Sequence, residues 1–294
     1  MRTEVQRGAG FDNQATRETA QSRFWNVPYG LDMSASLRLH WPEYLMEFAE
    51  ISLYMFCLCL FATLFQNPIS PVRHFVAIGF LRRALMGLAV GATVVAIVMS
   101  PWGRQSGGHM NPAMTFAFYR LGKVAPWDAL FYGIAQFSGA TGGVALAAAL
   151  LRRSAGNGAV RYAVTAPGEY GPLVAFLAEL VISFLLMMTV LVLTHRPSLA
   201  PHTAYFVGLL YLLNTTFEAP LSGMSMNPAR TFGPAAYAGY WHALWIYLFA
   251  PTIGMLGAAG FFLRVRQGRG PYCAKLYHDD KKRCIFRHEY QQVK

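Results

Sequence analysis

The sequence predicts an all-α membrane protein in which six transmembrane helices and two re-entrant half-helices form an inverted repeat. The first observation is composition, since 54% of the 294 residues are hydrophobic, 13% are charged and the mean hydropathy is +0.31. The second is a series of long apolar segments, and the third is the tripeptide Asn-Pro-Ala, which occurs once in each half of the chain. Together they place most of the chain inside a bilayer.

Six apolar segments are long enough to cross a bilayer, which takes about 20 helical residues. They cover residues 44–66, 82–100, 126–151, 171–194, 202–218 and 241–263. Two shorter apolar stretches, 112–120 and 228–238, are too short to span and precede the last span of each half. Each half thus has the order span, span, half-helix, span. Three spans per half require opposite orientations of the two halves in the membrane.

The two tripeptides, Asn111-Pro112-Ala113 and Asn227-Pro228-Ala229, predict the starts of the half-helices. Asparagine caps a helix well, and proline suits the first helical position because it lacks the N–H that would be unpaired there. A membrane tolerates unwound chain only inside protein or beside water. Two such starts in corresponding positions therefore indicate a shared pore at the midplane, although two unrelated capped helices are the simpler alternative.

Glycines at helical spacing predict close contacts between spans. The pairs Gly87 and Gly91, and Gly139 and Gly143, have the Gly-x-x-x-Gly spacing, and Gly254, Gly257 and Gly260 line one segment. Small residues allow helix backbones to approach closely in lipid, where packing drives association.

Charge divides the chain into a polar tail (1–40), a channel domain (41–265, with halves of about 41–155 and 168–265) and a basic tail (266–294). From Arg264 to Lys294 there are nine Lys or Arg and three acidic residues. By the positive-inside rule both termini are cytoplasmic, with an even number of spans between them. We therefore interpret the net charge of +11 as setting the orientation in the membrane and contacting anionic lipid, rather than as binding nucleic acid.

Neither a cofactor nor a metal is predicted from the sequence. Cys57 and Cys59 lie in an apolar segment and Cys273 and Cys284 in the basic tail, without the spacing of a secreted disulfide framework or a close zinc motif. A Ser/His/Asp set or a phosphate-binding loop is not recognisable either. The protein is therefore not expected to be an enzyme, and the polar residues 1–40 do not predict a cleaved signal peptide.

Carboxylates within the spans demand partners, because a charge at membrane depth is costly. Glu47 in the first span and Glu179 in the fourth occupy equivalent places, and we expect them to accept from backbone N–H groups of the re-entrant loops. The alternative is a proton relay. Gln136 in the third span is also assigned to loop support, whereas the roles of Glu50 and Glu218 stay open.

The frames around the tripeptides, GGHMNPAMTFAF and GMSMNPARTFGPA, resemble the major intrinsic protein family, the aquaporins and glycerol facilitators. The likeness covers about residues 40 to 265 and includes His109 before the first tripeptide, and Arg230 and Phe232-Gly233-Pro234 in the second frame. It implies a homotetramer of six-helix bundles with one narrow pore in each subunit. His109 then hydrogen-bonds within the first loop, or lines the cytoplasmic mouth and gates weakly with pH.

The resemblance also implies a selectivity filter. Alignment on the motifs assigns it to Val90, Thr215, the backbone carbonyl of Met224 and the Arg230 side chain. Water-selective relatives typically have an aromatic residue and a histidine where Val90 and Thr215 stand, so this filter is expected to be wider. Thr231 replaces the aspartate usual in glycerol-conducting relatives, so the chain departs from both subtypes.

Three functional interpretations follow. The first is a passive channel in the plasma membrane for water and small neutral solutes, which excludes ions and protons; a facilitator of glycerol, urea or peroxide with little role for water is a variant of it. The second is coupled transport through Glu47 and Glu179. The third is a structural membrane protein that does not conduct. The expected partners are water, solutes and membrane lipid, and the native solute and gating signal stay open.

Overall fold

The computed structural model describes residues 31–289. Its principal helices are α1 (Met33–Gln66), α2 (Gly79–Met99), α3 (Pro112–Arg120), α4 (Pro126–Leu151), α5 (Gly171–Thr194), α6 (Thr203–Leu213), α7 (Pro228–Ala238) and α8 (Leu244–Val265). Short helical segments lie at Pro71–Phe75, Gly103–Ser106, Arg153–Gly156, Arg161–Ala163 and Ala200–His202. Within residues 31–289 there is no β-strand, and α1, α2, α4, α5 and α8 are long and apolar enough to cross a membrane.

Helix α1 begins inside the stretch that was expected to be a polar tail. Asp32 caps it, because the Asp32 carboxylate accepts from the Ala35 N–H at 2.7 Å. This cap starts the helix at Met33, whereas the apolar pattern alone indicated a start near residue 44. Most of the predicted tail 1–40 lies outside the described residues, as do residues 290–294 of the basic tail.

The fifth predicted span, 202–218, contains a change of helix type. Helix α6 is followed by a π-helical turn at Asn214–Glu218 and a short α-helix at Ala219–Ser222. Pro220 has no N–H to donate to the Thr216 carbonyl, which accepts instead from Nε of Arg83 at 3.2 Å. The break leaves α6 only 11 residues long, but the continuous helical path through Ser222 supplies the length of a sixth span.

Equivalent helices of the two halves pack in the same way. Helix α1 lies against α4 as α5 lies against α8, and α2 crosses α6 between the halves. Each half-helix packs on the last span of the opposite half, α3 on α8 and α7 on α4. This exchange is the inverted repeat that the sequence predicts, and it brings the starts of α3 and α7 together inside the bundle.

Several predicted glycines lie at these crossings. A Cβ on Gly91 would stand 2.4 Å from the Gly208 carbonyl oxygen, and one on Gly143 would stand 2.2 Å from that of Ser52. A Cβ on Gly87, Gly139 or Gly254 would stand 2.7, 2.5 or 2.4 Å, respectively, from a neighbouring carbonyl oxygen. Gly260 meets no atom within 4 Å, so its predicted packing role is wrong.

Residues 269–289, here called the C-terminal segment, fold back across one end of the bundle. They form turns and bends without a helix or a strand, yet Cys273, Ala274, Lys275, Leu276 and Phe286 are buried. We call this end of the bundle the tail face. The opposite face carries the loops 67–78 and 157–170.

Candidate channel site

Asn111 and Asn227 begin the two half-helices as side-chain caps. Oδ1 of Asn111 accepts from the Ala113 N–H at 3.0 Å, and Oδ1 of Asn227 accepts from the Ala229 N–H at 3.0 Å. Both asparagines have an extended backbone, and Pro112 and Pro228 follow as the first helical residues. The oxygen of each amide is therefore fixed by its own helix, which sets the direction of the amide nitrogen.

The two amide nitrogens bind the opposite loops. Nδ2 of Asn111 donates to the Met226 carbonyl at 2.8 Å, and Nδ2 of Asn227 donates to the Met110 carbonyl at 2.7 Å. Met110 and Met226 have φ values of 48° and 54°, a left-handed conformation that turns these carbonyls inward. An amide nitrogen carries two N–H groups, so each asparagine keeps a second donor.

Glu47 and Glu179 are fully buried and accept from the non-helical chain before each cap. The Glu47 carboxylate accepts from the His109 and Met110 N–H groups at 2.8 and 2.7 Å. Glu179 accepts from the Ser225 and Met226 N–H groups at 2.6 and 2.7 Å. These N–H groups belong to non-helical chain and have no partner within a helix backbone, so the carboxylates satisfy donors that lipid could not.

Gln136 links the first carboxylate to the half-helix α3. Its Nε2 donates to Glu47 at 2.7 Å and to the Thr115 hydroxyl at 3.1 Å. Glu50 accepts from the Ser106 hydroxyl at 2.9 Å, so it too supports the first loop. Glu218 lies buried in the π-helical turn.

Two tyrosines that the sequence analysis missed hold the loops from the outside. The Tyr132 hydroxyl donates to the Ser106 carbonyl at 2.7 Å, and the Tyr247 hydroxyl donates to the Ser222 carbonyl at 2.6 Å. They occupy equivalent places on α4 and α8. A buried tyrosine in an apolar span resembles any other core residue, and only comparison of the two halves would single out this pair.

A narrow central cavity lies where the two caps meet. Both Asn111 and Asn227 line it, and most of its remaining wall is apolar: Val94, Met114, Leu186 and Val207. Its other polar side chains are those of Tyr54, His109 and Tyr211.

A wider outer cavity opens towards the opposite face. All four residues assigned to the filter from sequence line it, namely Val90, Thr215, Met224 and Arg230. Arg82 and Arg83 line its rim as well, so the outer cavity carries positive charge. An apolar groove on the side of the bundle, between α3 and α4, is separate from both cavities.

Tyr54 of α1 lines both cavities and stands between them. Its ring packs edge-to-face on Tyr211, with centroids 6.1 Å apart. This residue was not predicted from the sequence, although a signal was present. Tyr54 follows Glu47 by two helical turns, and this spacing places both on the same interior face of α1.

Arg230 is 6% exposed and is held by the loop that joins the two halves. Its Nη1 donates to the Ala163 carbonyl at 2.9 Å and contacts the Thr165 hydroxyl. Arg161, Tyr162 and Ala163 all have positive φ, so the chain turns sharply at the place where it meets the guanidinium. Loop conformation of this kind has no periodic signal, and the sequence analysis therefore missed Ala163 and Thr165.

His109 lies at the tail-face end of the central cavity and is sandwiched between two phenylalanines. Its ring stacks on Phe118 and Phe286, with centroid distances of 5.2 and 5.3 Å. Nδ1 is 3.0 Å from the Thr115 hydroxyl, and Nε2 is 2.8 Å from the Ala274 carbonyl oxygen. Two of these four contacts thus come from the C-terminal segment, beyond the first loop.

The C-terminal segment occupies the mouth of the central cavity at the tail face. The Leu276 N–H donates to the Gly107 carbonyl at 3.0 Å, and the Leu276 side chain forms part of the cavity wall. Lys275 is buried beside it and donates to the Arg104 and Arg283 carbonyls at 2.9 and 2.6 Å. Residues expected to form a basic tail therefore include a docked, buried element.

Cys273, His278 and Cys284 converge within this segment, with their ligand atoms all within 4.8 Å of one another. No metal was predicted from sequence, because the three residues lack a close zinc spacing. A hydrogen bond with Cys273 lowers the pKa of the Cys284 thiol, and the Lys275 ammonium adds to this effect. Burial lowers the pKa of Lys275.

Comparison with known families now identifies the class of protein. The family model for the major intrinsic proteins matches residues 34–262, which is most of the chain. The chain therefore belongs to the major intrinsic protein family. The family predicted from the Asn-Pro-Ala frames is confirmed, and the apolar helices make this a multi-pass membrane protein.

Among individual relatives, the chain is 37% identical to aquaporin NIP1-3 of Oryza sativa subsp. japonica over 183 residues, covering 61% of this chain and 60% of the relative. It is 35% identical to aquaporin NIP1-1 of Arabidopsis thaliana over 191 residues, covering 62% of this chain and 63% of the relative. The chain thus spans about three fifths of the length of these relatives.

Among solved structures, the chain is similar to the aquaglyceroporin from Plasmodium falciparum. The TM-score is 0.63 at 20% sequence identity, and the match covers 77% of this chain and 97% of the other. At this identity the likeness bears on the fold alone. It confirms the predicted fold class of spans and half-helices.

Proposed function

We propose that the protein is a passive membrane channel for water and small uncharged solutes, and not an enzyme. The observation that carries the proposal is the meeting of two asparagine-capped half-helices inside the central cavity. Each cap gives one N–H to the opposite loop and keeps a second for a molecule in the cavity. The oxygen of a passing water or solute would accept these second donors.

The same arrangement would exclude cations and protons. Each half-helix N-terminus carries a partial positive charge of about half an elementary charge, so α3 and α7 together repel cations at the midplane. A water oriented by both asparagines cannot donate along the file, which interrupts proton hopping. Arg230 adds a permanent charge at the entrance from the outer cavity.

Selectivity is proposed to come from two levels of the path. Val90 and Thr215 present small side chains opposite Arg230, which gives room for solutes larger than water in the outer cavity. Tyr54 then narrows the path before the central cavity. We therefore propose passage of water and of at least one small solute such as glycerol, urea or peroxide.

The contacts of Glu47 and Glu179 argue against coupled transport. Each carboxylate accepts from two backbone N–H groups and from a further side chain, Gln136 or Ser222. Protonation would remove acceptors that the buried loops need, so a transport cycle through either group would disturb the fold. We assign both to loop support, together with Gln136 and His109.

A role without conduction is the second candidate, because Leu276 forms part of the cavity wall at the tail face and Phe286 stacks on His109 there. We interpret this arrangement as a closed state of a channel. The two candidates differ in one measurement, the rate of vesicle shrinkage in stopped-flow light scattering.

We further propose that the tail face is cytoplasmic in the plasma membrane. The C-terminal segment meets the start of α1 there, since Nη2 of Arg283 donates to the Leu39 carbonyl at 2.7 Å. The segment also carries the exposed Lys281 and Arg283, and basic residues favour the cytoplasmic side. A reporter domain that is active only in the cytoplasm should be active when it is fused to either end of the chain.

A homotetramer is proposed from the family and from the exposed apolar faces. One stripe on α5 has side chains that are about half or more exposed, which requires lipid or a second subunit to cover it. It consists of Leu173, Leu177, Val181 and Leu185. Native mass spectrometry from lipid nanodiscs should give four chains per particle.

The test of the proposed function uses the full chain in proteoliposomes. Vesicles with protein should shrink faster than protein-free vesicles under an impermeant osmolyte. Re-swelling in glycerol or urea gradients should follow at a measurable rate, and imposed pH gradients should leave the water rate unchanged. A dependence of solute uptake on the pH gradient would instead favour coupled transport.

A further inference from the structure

The C-terminal segment brings together three side chains that bind metals in other proteins. Cys273, His278 and Cys284 are separated along the chain, but the turns of the segment gather them. Cys273 is fully buried, and the other two are partly buried. The sulfur atoms of Cys273 and Cys284 are 3.7 Å apart.

This spacing matches two thiolates on one tetrahedral zinc ion. At about 2.3 Å from zinc with a tetrahedral angle, two sulfur atoms lie about 3.8 Å apart. Two thiolates and an imidazole select zinc over magnesium or calcium, which take oxygen ligands. The fourth position is open to water or to His288, whose ring centroid is 5.3 Å from that of His278.

The surroundings of His278 resemble those of a metal-binding histidine. Its Nε2 lies 3.3 Å from a carboxylate oxygen of Asp280. A histidine that binds a metal through one ring nitrogen commonly donates the other N–H to a carboxylate, which fixes the ring. With Nε2 on Asp280, Nδ1 is the nitrogen that would bind the metal. The ligand atoms of His278 and Cys284 already lie within 4.8 Å of each other.

The segment also has a physical need for a cross-link. Across residues 269–289 it has turns and bends but neither helix nor strand, and ordering such chain is costly in conformational entropy. Small irregular elements with little core are commonly stabilised by a metal or by disulfides. Here the element to be held is the one that carries Leu276 and Phe286 into the cavity mouth.

We propose that Cys273, His278 and Cys284 form a binding site for one zinc ion, and that the bound ion holds the C-terminal segment in the mouth at the tail face. Metal binding stands on the geometry alone. Closure of the mouth rests on the proposed channel function. The two parts are therefore measured separately.

The first experiment titrates the reduced, chelator-stripped full chain in nanodiscs with Co²⁺, which reports on zinc sites. We expect one cobalt per chain, with thiolate charge-transfer absorption and the visible bands of a tetrahedral ion. Excess Zn²⁺ should remove both signals. Cys284→Ser and Cys273→Ser should abolish the charge-transfer band, and His278→Gln should weaken binding by at least about tenfold.

Cys57→Ser is the matched control, because Cys57 is a half-buried cysteine of α1 far along the chain from the segment. It should bind cobalt as the wild type does. The metal site would be disproved by the absence of saturable binding in wild type, or by equal binding in Cys284→Ser. Mass spectrometry that finds Cys273 and Cys284 joined in the isolated protein would also overturn it, and would assign the pair to a disulfide.

The second experiment measures water flux in proteoliposomes with Zn²⁺ or a chelator on both sides. Zinc should slow wild-type shrinkage towards the rate of protein-free vesicles, while Cys284→Ser should stay fast in both conditions. If the protein binds cobalt but shrinkage is fast with and without zinc, the metal site stands and the proposed closure of the mouth is rejected. If the protein binds cobalt but shrinkage is slow in every variant and condition, the proposed channel function is rejected instead.

Discussion

At the scale of single residues, the re-entrant loops depend on two carboxylates. Glu47 accepts from the His109 and Met110 N–H groups, and Glu179 accepts from those of Ser225 and Met226. These donors lie in unwound chain inside a membrane, where water cannot replace the acceptor. Loss of either carboxylate therefore disturbs the fold before it disturbs selectivity.

We expect Glu47→Ala to destabilise the protein by several kcal/mol, since each orphaned buried N–H costs about 1–3 kcal/mol. Thermal unfolding in detergent and the yield of monodisperse protein measure this effect. Glu169→Ala, at an exposed position in the loop between the halves, is the control and should be neutral. A Glu47→Ala protein with normal stability and a new proton leak would favour the relay.

Tyr54 gives a second prediction at this scale. Tyr54→Ala should join the outer and central cavities and raise glycerol flux more than water flux, because the ring stands between them. Stopped-flow re-swelling in glycerol measures the change. Tyr205→Ala is the matched control, since this tyrosine of α6 is 53% exposed on the outside of the bundle.

The proposed wide filter is tested by narrowing it. Val90→Phe with Thr215→His should reduce solute flux while water flux persists, because both changes fill the space opposite Arg230. The ratio of glycerol to water permeability is the quantity to compare with wild type. Wild-type vesicles that pass water but reject every small solute would contradict the wide filter and leave Tyr54 as the limiting group.

At the scale of elements, helix crossings depend on particular glycines. A methyl group on Gly91 would meet the Gly208 carbonyl oxygen at 2.4 Å, so α2 and α6 would have to separate. We expect Gly91→Ala to destabilise the bundle by about 1–3 kcal/mol, the usual cost of overpacking. Thermal unfolding in detergent measures it.

Gly260→Ala provides the matched control on α8. Nothing lies within 4 Å of its added methyl group, and alanine is favoured over glycine inside a helix by about 1 kcal/mol. This variant should be as stable as wild type or slightly more stable. Equal destabilisation by both changes would show that the α2–α6 contact is not the cause.

Much of the element scale could be predicted from the sequence. Long apolar segments and the capped Asn-Pro-Ala starts have strong local signals, so the helices and the inverted repeat followed from them. The start of α1 at Met33 and the π-helical turn at Asn214–Glu218 did not. The first depends on one capping aspartate, and the second on a proline whose missing N–H is compensated by Arg83 from another helix.

Parts of the candidate site could not be predicted from the sequence for a related reason. Val90, Thr215 and Arg230 could be assigned because they follow the motifs at fixed distances. The loop residues around Arg230 and the C-terminal segment make contacts over 65 residues or more in the chain, as between Thr165 and Arg230. Contacts of that separation, formed by irregular chain, have no periodicity to detect.

At the scale of the whole molecule, the C-terminal segment joins the start of α1 to the cavity mouth. Phe286 stacks on His109, so its loss should free the mouth without altering the asparagine caps. We expect Phe286→Ala proteoliposomes to shrink severalfold faster than wild type when Zn²⁺ is present, because the mouth stays open in the variant. Tyr277→Ala, which removes only a ring against the Arg104 guanidinium, should have a smaller effect.

The paired hydrogen bonds between the caps also bear on the order of biosynthesis. The Met110 carbonyl accepts from Asn227, which is translated 117 residues later. Asn111 donates to the Met226 carbonyl, which is translated 115 residues after it. Neither re-entrant loop can reach its final conformation while only half of the chain has left the ribosome. Insertion of the first three spans must therefore precede any settled loop, and separately expressed halves should mature only when they meet in the same membrane.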